Sequence, residues 1–475
     1  MIEKQPNKPP GRDPRKNWAR IQLAAGLLVA VIAELLMFKA VEPVASNFYL
    51  FIWWAYILTV DAVVYCIQGN SLILSRTREF LLMMPWSVAF WLLFEMLNLR
   101  LENWYYANVT PYGWIRWPGY FFSYATVLPG IFETMELLAC LGLFRRATIK
   151  RRIFSPASFP IYYAFGILFF ILPLAFPHYF FPLVWIAFIF LLDPINYVHG
   201  SPSLIRDWEE GTPCTFYLLL TAGLICGGLW EFWNFWAHTK WIYTVPFFEE
   251  LKLFEMPAAG FLGFPPFAVE CYVMYNVVSL FRGHRTWLHN TPANVSSRPL
   301  SRKLIAGTAV AMVVFYALAF RALDRYTVNS YITPLGEIPF LPPEAVSLLH
   351  QAGVQSASDV LDWCAKESNT KRLVDQAHLS EKEFLNMVEY FRLASLEWMG
   401  VDNVVLLQKA GVSSLAALVR QDPRDLHHIV HAQALPGDKL PSRAMIRLWI
   451  RSAQAADDRQ VFPTAPGPAP LTTGS

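Results

Sequence analysis

The amino-acid sequence predicts an all-α, polytopic membrane protein with about nine transmembrane helices and a small helical domain near its C-terminal end. Hydrophobic residues make up 55% of the 475 residues, charged residues make up only 16%, and the mean hydropathy is +0.33. Soluble proteins carry about 25% charged residues, so this composition excludes an ordinary cytosolic enzyme. An internal duplication further predicts that eight of the helices form two four-helix units.

Nine stretches of the chain are apolar enough, at roughly 20 residues each, to cross a bilayer. They are residues 21–42, 48–68, 80–100, 121–144, 158–176, 180–199, 213–236, 258–281 and 303–323. The first stretch follows a basic segment, residues 1–20, and is too long for the apolar part of a signal peptide. We therefore interpret it as a retained anchor.

Basic residues predict the orientation of these helices. They cluster in the N-terminal segment, near Arg76, over residues 145–152 and over residues 282–303, which all lie on one predicted side. Because basic loops stay in the cytoplasm, we expect a bacterial inner-membrane protein with a cytoplasmic N-terminus. Nine spans then place residues 324–475 in the periplasm, and a change of one span reverses that side.

Charge and cysteine content narrow the function classes. Residues 1–323 carry 25 Lys and Arg against 19 Asp and Glu, and residues 324–475 carry 14 against 17. Neither part has the basic character of a nucleic-acid-binding protein, so no nucleic acid is expected as a partner. The six cysteines form no C-x-x-C pair, and the helix-borne histidines lack metal-binding spacing, so we expect neither a metal nor a cofactor.

The duplication rests on residue types that recur in the same order. A first set recurs at an offset of 132: Trp53, Asp61, Tyr65 and Ser71 match Trp185, Asp193, Tyr197 and Ser203. Two further sets recur at offsets of 136 and 137: Glu95 and Asn98 match Glu231 and Asn234, while Trp104, Tyr106, Pro129 and Glu133 match Trp241, Tyr243, Pro266 and Glu270. We assign repeat 1 to residues 21–144 and repeat 2 to residues 158–281, with residues 303–323 as a tether.

The duplicated residues supply the candidate site. Carboxyl groups at membrane depth usually face the bundle interior and carry function, so the predicted catalytic residues are Glu133, Glu270, Glu95 and Glu231. The predicted substrate-binding residues are Asn98, Asn234, Trp104, Trp241, Tyr106 and Tyr243. Two alternatives stay open. The Glu-x-x-Asn pairs are equally explained as interhelical hydrogen bonds, and the Trp and Tyr residues of the loops are better explained as an interfacial aromatic belt than as a binding site. For Asp61 and Asp193 we favour a structural role.

An acidic residue near a helix end, then W-x-Y, then proline followed by glutamate, all occurring twice, resembles the integral-membrane lycopene cyclases of the two-subunit bacterial and fused fungal types. That resemblance implies small helical repeats that enclose a long isoprenoid and cyclise it by proton donation without net redox change. The matching positions are Glu95, Trp104, Tyr106, Pro129 and Glu133, with their counterparts in repeat 2. The chain departs from the family in having a single glutamate after the proline and four spans per repeat.

Residues 340–452 contain a second duplication. Leu348-Leu349 and Ala352-Gly353-Val354 recur as Leu406-Leu407 and Ala410-Gly411-Val412 at an offset of 58. This region resembles a family of paired helix-hairpin-helix-like domains of unknown function, with Met399–Asn403 as a hairpin. Its acidic balance favours a protein partner over DNA. His427, His428 and His431 could together bind a metal ion, but a solvated helix face explains them more simply. The proline-rich residues 453–475 are expected to be disordered.

Three functions follow from these features. The first is an enzyme that modifies a long apolar lipid, such as an isoprenoid, by acid–base chemistry of the repeats. The second is a transporter or lipid-binding module that uses the same acids. The third is a membrane scaffold that recruits a partner through residues 340–452. The surrounding lipid is a partner in each, and the sequence gives no oligomeric state.

Overall fold

The computed structural model confirms an all-α polytopic protein. It describes residues 14–246, 251–282, 286–288, 301–338, 340–354, 357–396, 398–434 and 440–457. The basic residues 1–13 and the proline-rich residues 458–475 lie outside this range. Within the described residues, eight helical segments are long and apolar enough to cross a membrane: Arg15–Phe38, Phe48–Gln68, Thr77–Leu101, Pro156–Ala175, Pro177–Val198, Cys214–Trp236, Ala258–Phe281 and Arg302–Thr327.

The α-helices that precede the C-terminal region are α1 (Pro14–Phe38), α2 (Phe48–Gln68), α3 (Thr77–Leu101), α4 (Gly113–Tyr124), α5 (Val127–Cys140), α6 (Phe159–Ala175), α7 (Pro177–Phe180), α8 (Ala187–Val198), α9 (Leu204–Glu210), α10 (Cys214–Trp236), α11 (Phe264–Phe281) and α12 (Arg302–Tyr326). The short strands are β1 (Trp104–Ala107), which pairs with β2 (Lys240–Tyr243), and β3 (Lys252–Leu253), which pairs with β4 (Met256–Pro257).

The predicted span 121–144 is divided between α4 and α5, and it does not correspond to any of the eight long apolar segments. Pro129 has no N–H to donate to the carbonyl of Ala125, so a continuous helix is disfavoured at this point. The Ser87 hydroxyl provides hydrogen bonds for the backbone groups on either side of the break. It donates to the Tyr124 carbonyl (2.6 Å) and accepts from the Leu128 N–H (3.0 Å). Helix α5 has 14 residues and is therefore only about 21 Å long.

The chain divides into two compact units. The membrane unit comprises Met1–Trp104, Trp117–His238 and Val245–Arg321. In it α1 packs along α2, α6 along α8, and α5 against α2, α3 and α10. Helices α5 and α11 are buried around Glu133 and Glu270, whereas α1, α6 and α12 expose apolar side chains, as helices in contact with lipid do.

The C-terminal unit comprises Tyr105–Arg116, Thr239–Thr244 and Ala322–Ser475. Its helices after α12 are α13 (Pro343–Gln351), α14 (Ala357–Cys364), α15 (Glu367–Gln376), α16 (Glu381–Ala394), α17 (Gly400–Lys409), α18 (Leu415–Val419), α19 (Pro423–Gln433) and α20 (Arg443–Asp457). They enclose one apolar core that includes Leu349, Phe391 and Trp449. The predicted disordered segment begins at residue 453, and helix α20 continues to Asp457.

The two sequence copies at an offset of 58 have the same local structure. Gly353 and Gly411, which follow α13 and α17, both adopt a left-handed conformation that glycine accepts without steric cost. The Val354 N–H then donates to Leu349 (3.0 Å), and the Val412 N–H donates to Leu407 (2.8 Å). The two copies therefore end their helices with the same capping motif.

The helix-hairpin-helix interpretation is not supported at residues 399–403. Gly400 does have a left-handed φ of 67°, but it begins helix α17, so residues 401–403 are helical and do not form a hairpin loop. The Asn403 side chain donates to the backbone carbonyl of Asn329 (2.9 Å) and thereby links α17 to the segment after α12. These residues have a structural role within the C-terminal unit.

Candidate functional site

Glu95 is held as a hydrogen-bond acceptor by two tryptophans. It is fully buried on α3, and its Oε1 accepts from the indole N–H of Trp91 (2.9 Å) and from that of Trp104 (3.1 Å). Trp91 lies four residues earlier on the same helix face, and Trp104 follows the end of α3. Two donors on one oxygen favour the ionised form of a carboxyl group.

Glu270 has a different environment. It is fully buried on α11, and its Oε1 accepts from the backbone N–H of Phe188 (2.8 Å). Its Oε2 has no hydrogen-bond partner among the described residues. A carboxyl oxygen in such a position can carry a proton without losing a hydrogen bond.

One aromatic cluster connects these two acids. We define it as Trp91, Phe94, Trp104, Trp185, Phe188 and Phe267. The Phe267 ring lies one helical turn before Glu270, with centroid distances of 5.9 Å to Trp91 and 5.4 Å to Phe94. Trp185 stacks on Phe94 at 5.2 Å. Glu95 of repeat 1 and Glu270 of repeat 2 therefore border the same group of rings.

The two repeats contact each other reciprocally. The ring centroid of Trp53 in repeat 1 lies 5.3 Å from that of Trp230 in repeat 2. The ring centroid of Trp185 in repeat 2 lies 5.2 Å from that of Phe94 in repeat 1. Trp53 and Trp185 are separated by 132 residues, and Phe94 and Trp230 by 136, which are the offsets of the sequence repeat. This pairing is what two homologous units related by an approximate two-fold axis produce.

Asp61 and Asp193 make the same backbone hydrogen bond. Asp61 accepts from the N–H of Ile73 (2.7 Å) and Asp193 from that of Ile205 (2.9 Å), each twelve residues later. Asp193 also accepts from the Leu204 N–H (3.0 Å), so both of its oxygens are used. The matching hydrogen bonds connect each aspartate to the turn that follows its helix, after α2 and after α8.

Glu133 and Glu231 occupy the other pair of predicted catalytic positions. Glu133 is fully buried on α5, beside the carboxyl group of Asp61. Glu231 is fully buried on α10, directly after Trp230. The pair Glu95 and Glu270 and the pair Glu133 and Glu231 therefore each combine one acid from repeat 1 with one acid from repeat 2.

The six predicted binding residues do not share one location. Asn98 is used structurally, because its Oδ1 accepts from the Asn103 N–H (2.9 Å) and its Nδ2 donates to the Trp104 carbonyl (2.8 Å). Asn234 is buried near the end of α10, and Trp104 belongs to the aromatic cluster. The remaining three residues, Tyr106, Trp241 and Tyr243, lie in the C-terminal unit, where the Trp241 indole donates to the Tyr243 hydroxyl (2.8 Å).

Several residues of the site were not selected from the sequence. Trp91 could have been found from its spacing of four residues to Glu95 on one helix. Gln22 could have been noticed as an uncharged polar residue in an apolar stretch, and it donates to Asp61 (2.8 Å). Phe94, Phe188 and Phe267 give no such signal, since phenylalanine is common throughout the membrane helices.

The C-terminal unit has its own polar sites. Arg116 forms two hydrogen bonds with Asp324, from Nε and from Nη2, both of 2.8 Å. On α19, burial and the neighbouring His431 lower the pKa of His427, and the two rings are 3.9 Å apart. Within the described residues, no group of three or more His, Cys, Asp and Glu residues is arranged to hold a metal ion.

Comparison with known proteins adds information on the C-terminal region alone. Searches of curated proteins and of solved structures gave no match. A family model described as Domain of unknown function (DUF4332) matches residues 341–456, which include helices α13 to α20 up to Ala456. The C-terminal helical region is therefore similar to that family.

Proposed function

We propose that the membrane unit is an enzyme that isomerises or cyclises a long apolar lipid by proton transfer between Glu270 and Glu95. The observation that carries the proposal is that these two buried acids border one aromatic cluster but accept different numbers of hydrogen bonds. Glu95 accepts two indole N–H groups on one oxygen, whereas Glu270 accepts a single backbone N–H, from Phe188. Such a difference separates a base from an acid.

The chemistry follows from these two environments. The protonated Glu270 donates its proton to one carbon of a double bond, which forms a C–H bond and leaves a carbocation on the neighbouring carbon. The faces of Trp91, Trp104 and Trp185 stabilise that cation through their π electrons. Glu95 then removes a proton from an adjacent carbon, and a new double bond forms. Substrate and product have the same composition, so no oxidant or reductant is needed.

The resemblance to the integral-membrane lycopene cyclases supports the same substrate class. The positions that carry it include Glu95, Trp104 and Glu270, which belong to or border the aromatic cluster. A long isoprenoid is apolar and rich in double bonds, so it fits both the lipid surroundings of the unit and an acid-initiated mechanism.

The proposal is tested by comparing apolar lipids from cells that express wild type, Glu270→Gln or Glu95→Gln. Removal of a general acid or base typically lowers a rate by about 10²–10⁴-fold, so product should fall at least 100-fold in each variant. Glu210→Gln, at an exposed carboxylate after the turn that follows α8, is the matched control and should retain product. Equal product from all four proteins at matched expression would contradict the proposal.

A topology also follows from the units. The loop after α3, the segment after α10 and the chain after α12 are predicted to lie on one side of the membrane, and all three contribute to the C-terminal unit. We propose that α4 and α5 together make one crossing, which gives nine crossings in total. The N-terminus is then cytoplasmic and the C-terminal unit lies outside, in the periplasm of a bacterium.

A partner-binding role for the C-terminal helices is the second candidate. Residues 340–452 are favoured as a protein-binding region by their acidic balance, and the eight helices α13 to α20 form a compact core of their own. The test is removal of residues 341–475 in the intact membrane protein. Loss of activity at unchanged expression of the membrane unit supports recruitment of a partner, whereas full activity contradicts it.

A further inference from the structure

Glu133 is a fully buried carboxyl group that lacks a hydrogen-bond donor. Its side chain is shielded from solvent on every side, and neither oxygen receives a hydrogen bond from any donor in the described part of the chain. The neighbour within hydrogen-bond reach is the carboxyl group of Asp61. An ionised carboxylate with no donor is strongly disfavoured in such surroundings.

Asp61 has the opposite pattern. Its Oδ1 accepts from the Ile73 N–H (2.7 Å), and its Oδ2 accepts from the Nε2 of Gln22 (2.8 Å). An ionised carboxylate only accepts hydrogen bonds, and both oxygens of Asp61 accept them. These contacts fit Asp61 as the charged member of the pair. A hydrogen bond between two carboxyl groups requires a proton on one of them, and Glu133 is the group that receives no hydrogen bond from the described residues.

We propose that Asp61 and Glu133 form a proton-binding site in repeat 1 that is separate from the Glu95 and Glu270 pair. A proton taken from water binds Glu133, and the resulting O–H donates to Asp61. The ligand is thus a single proton, and the bound state leaves one negative charge on the pair.

Other groups face this site from each helix packed around it. Asp61 and Tyr56 approach from α2, Arg76 from the residue before α3, Glu136 from α5 itself, and Cys226 from α10, where it contacts α5 at Gly130. Arg76 pairs with Glu136 (2.6 Å), three residues along α5 from Glu133. Glu136, one helical turn from Glu133, is therefore an ionisable group through which the pair can exchange its proton.

A tryptophan covers the same end of the site. Trp287 is fully buried, its indole stacks on Phe132 with ring centroids 4.3 Å apart, and its carbonyl accepts from Arg76. Phe132 directly precedes Glu133 on α5. The ion pair and this ring therefore lie together at the N-terminal end of α3, next to the part of α5 that carries Glu133.

Repeat 2 lacks the corresponding arrangement. Glu270 accepts from a backbone N–H, and both oxygens of Asp193 accept from backbone N–H groups. At the repeat offsets, Val273 corresponds to Glu136 and Trp208 corresponds to Arg76. The carboxyl pair with its Arg76 and Glu136 neighbours is thus not repeated at the equivalent positions of repeat 2.

The test uses dicyclohexylcarbodiimide, which reacts with protonated carboxyl groups in apolar surroundings, on the full-length protein in detergent without substrate. Labelled peptides are mapped by mass spectrometry over a pH series. We expect an adduct on Glu133 that decreases as the pH rises, and at least a fivefold smaller adduct at the same pH in Asp61→Asn. Glu34→Gln, at a half-buried acid on α1, is the matched control and should leave the Glu133 adduct unchanged.

Two outcomes would overturn the proposal. The first is the absence of a Glu133 adduct at every pH at which wild type elutes as a monodisperse species, or an adduct that Asp61→Asn does not change. The second is protection by sodium ions at constant pH, which would make the ligand a monovalent cation and not a proton. Because no lipid conversion is measured, this test fails or succeeds independently of the proposed enzymatic function.

Discussion

The close contact between α10 and α11 gives the most direct structural prediction. Gly223 and Gly227 are four residues apart on α10, a spacing that allows membrane helices to approach closely. A Cβ atom on Gly223 would lie 2.5 Å from the Phe264 carbonyl oxygen and 2.8 Å from the Ala268 Cβ. Because the first of these is a backbone atom, Gly223→Ala forces the two helices apart.

The loss of stability that the steric contact at residue 223 causes can be isolated with Gly228→Ala as a control. At Gly228, on the same helix, an added Cβ would meet no described atom within 4 Å. Both substitutions gain up to about 1 kcal/mol of helix propensity, which cancels in the comparison. Overpacking typically costs about 1–3 kcal/mol, so Gly223→Ala should be less stable than Gly228→Ala by that amount.

The assay is the fraction of detergent-solubilised full-length protein that remains monodisperse after heating, measured by size-exclusion chromatography. We expect Gly223→Ala to lose that fraction at a temperature several degrees below wild type, and Gly228→Ala to match or exceed wild type. Equal midpoints for the two variants, or a more stable Gly223→Ala, would refute the packing of α10 on α11. That packing positions Glu231 and Glu270, so the result bears on the site as well.

The remaining predictions concern the C-terminal unit. Alkaline phosphatase fused after residue 475 should be active in bacterial cells and green fluorescent protein should not fluoresce there; the reverse pattern would place the unit in the cytoplasm. Arg116→Met removes the ion-pair partner of Asp324, whose side chain is 18% exposed, and also the hydrogen bonds to the Thr110 and Pro111 carbonyls. Breaking a buried pair typically costs about 3–5 kcal/mol, so protease resistance of the unit should fall; partial recovery is expected in the Arg116→Met/Asp324→Leu double variant, and unchanged resistance of the single variant would contradict the pair. Since the pKa of His427 is lowered in the fold, its contribution to stability is present above the ordinary pKa of about 6.5 and is lost as the pH falls. The unit should therefore be more protease-sensitive at acidic than at neutral pH, and a His427→Gln variant with an undiminished pH dependence would disprove that origin.

The fold class was predictable because bilayer thickness imposes a length on apolar segments. Eight of the nine predicted spans correspond to long helices whose bounds differ by a few residues. The exception, residues 121–144, contains Pro129, and hydropathy carries no information about a missing N–H. Ser87, which satisfies that break, is 42 residues away, so only the tertiary structure reveals it.

The candidate site was predictable in part. The duplication identified the four fully buried glutamates of the described membrane helices, because polar groups at membrane depth are rare and repeat in order. It did not distinguish them: Glu95 contacts two indoles, Glu270 a backbone N–H and Glu133 another acid, although Glu133 and Glu270 occupy equivalent positions in the repeats. These differences depend on neighbours from other helices, such as Gln22 and Phe188, whose approach is determined by packing and not by local sequence.

Proton transfer from the protein to a lipid carbon is the central claim, and deuterium labelling tests it most directly. Membranes containing the wild-type protein are incubated with extracted isoprenoid lipids in D₂O, and the products are compared with those of Glu270→Gln by mass spectrometry. The account predicts a product with the composition of its substrate except for one carbon-bound deuterium, formed by wild type alone. A product that has gained oxygen or lost two hydrogens, an unlabelled product, or identical lipids with both proteins would contradict it.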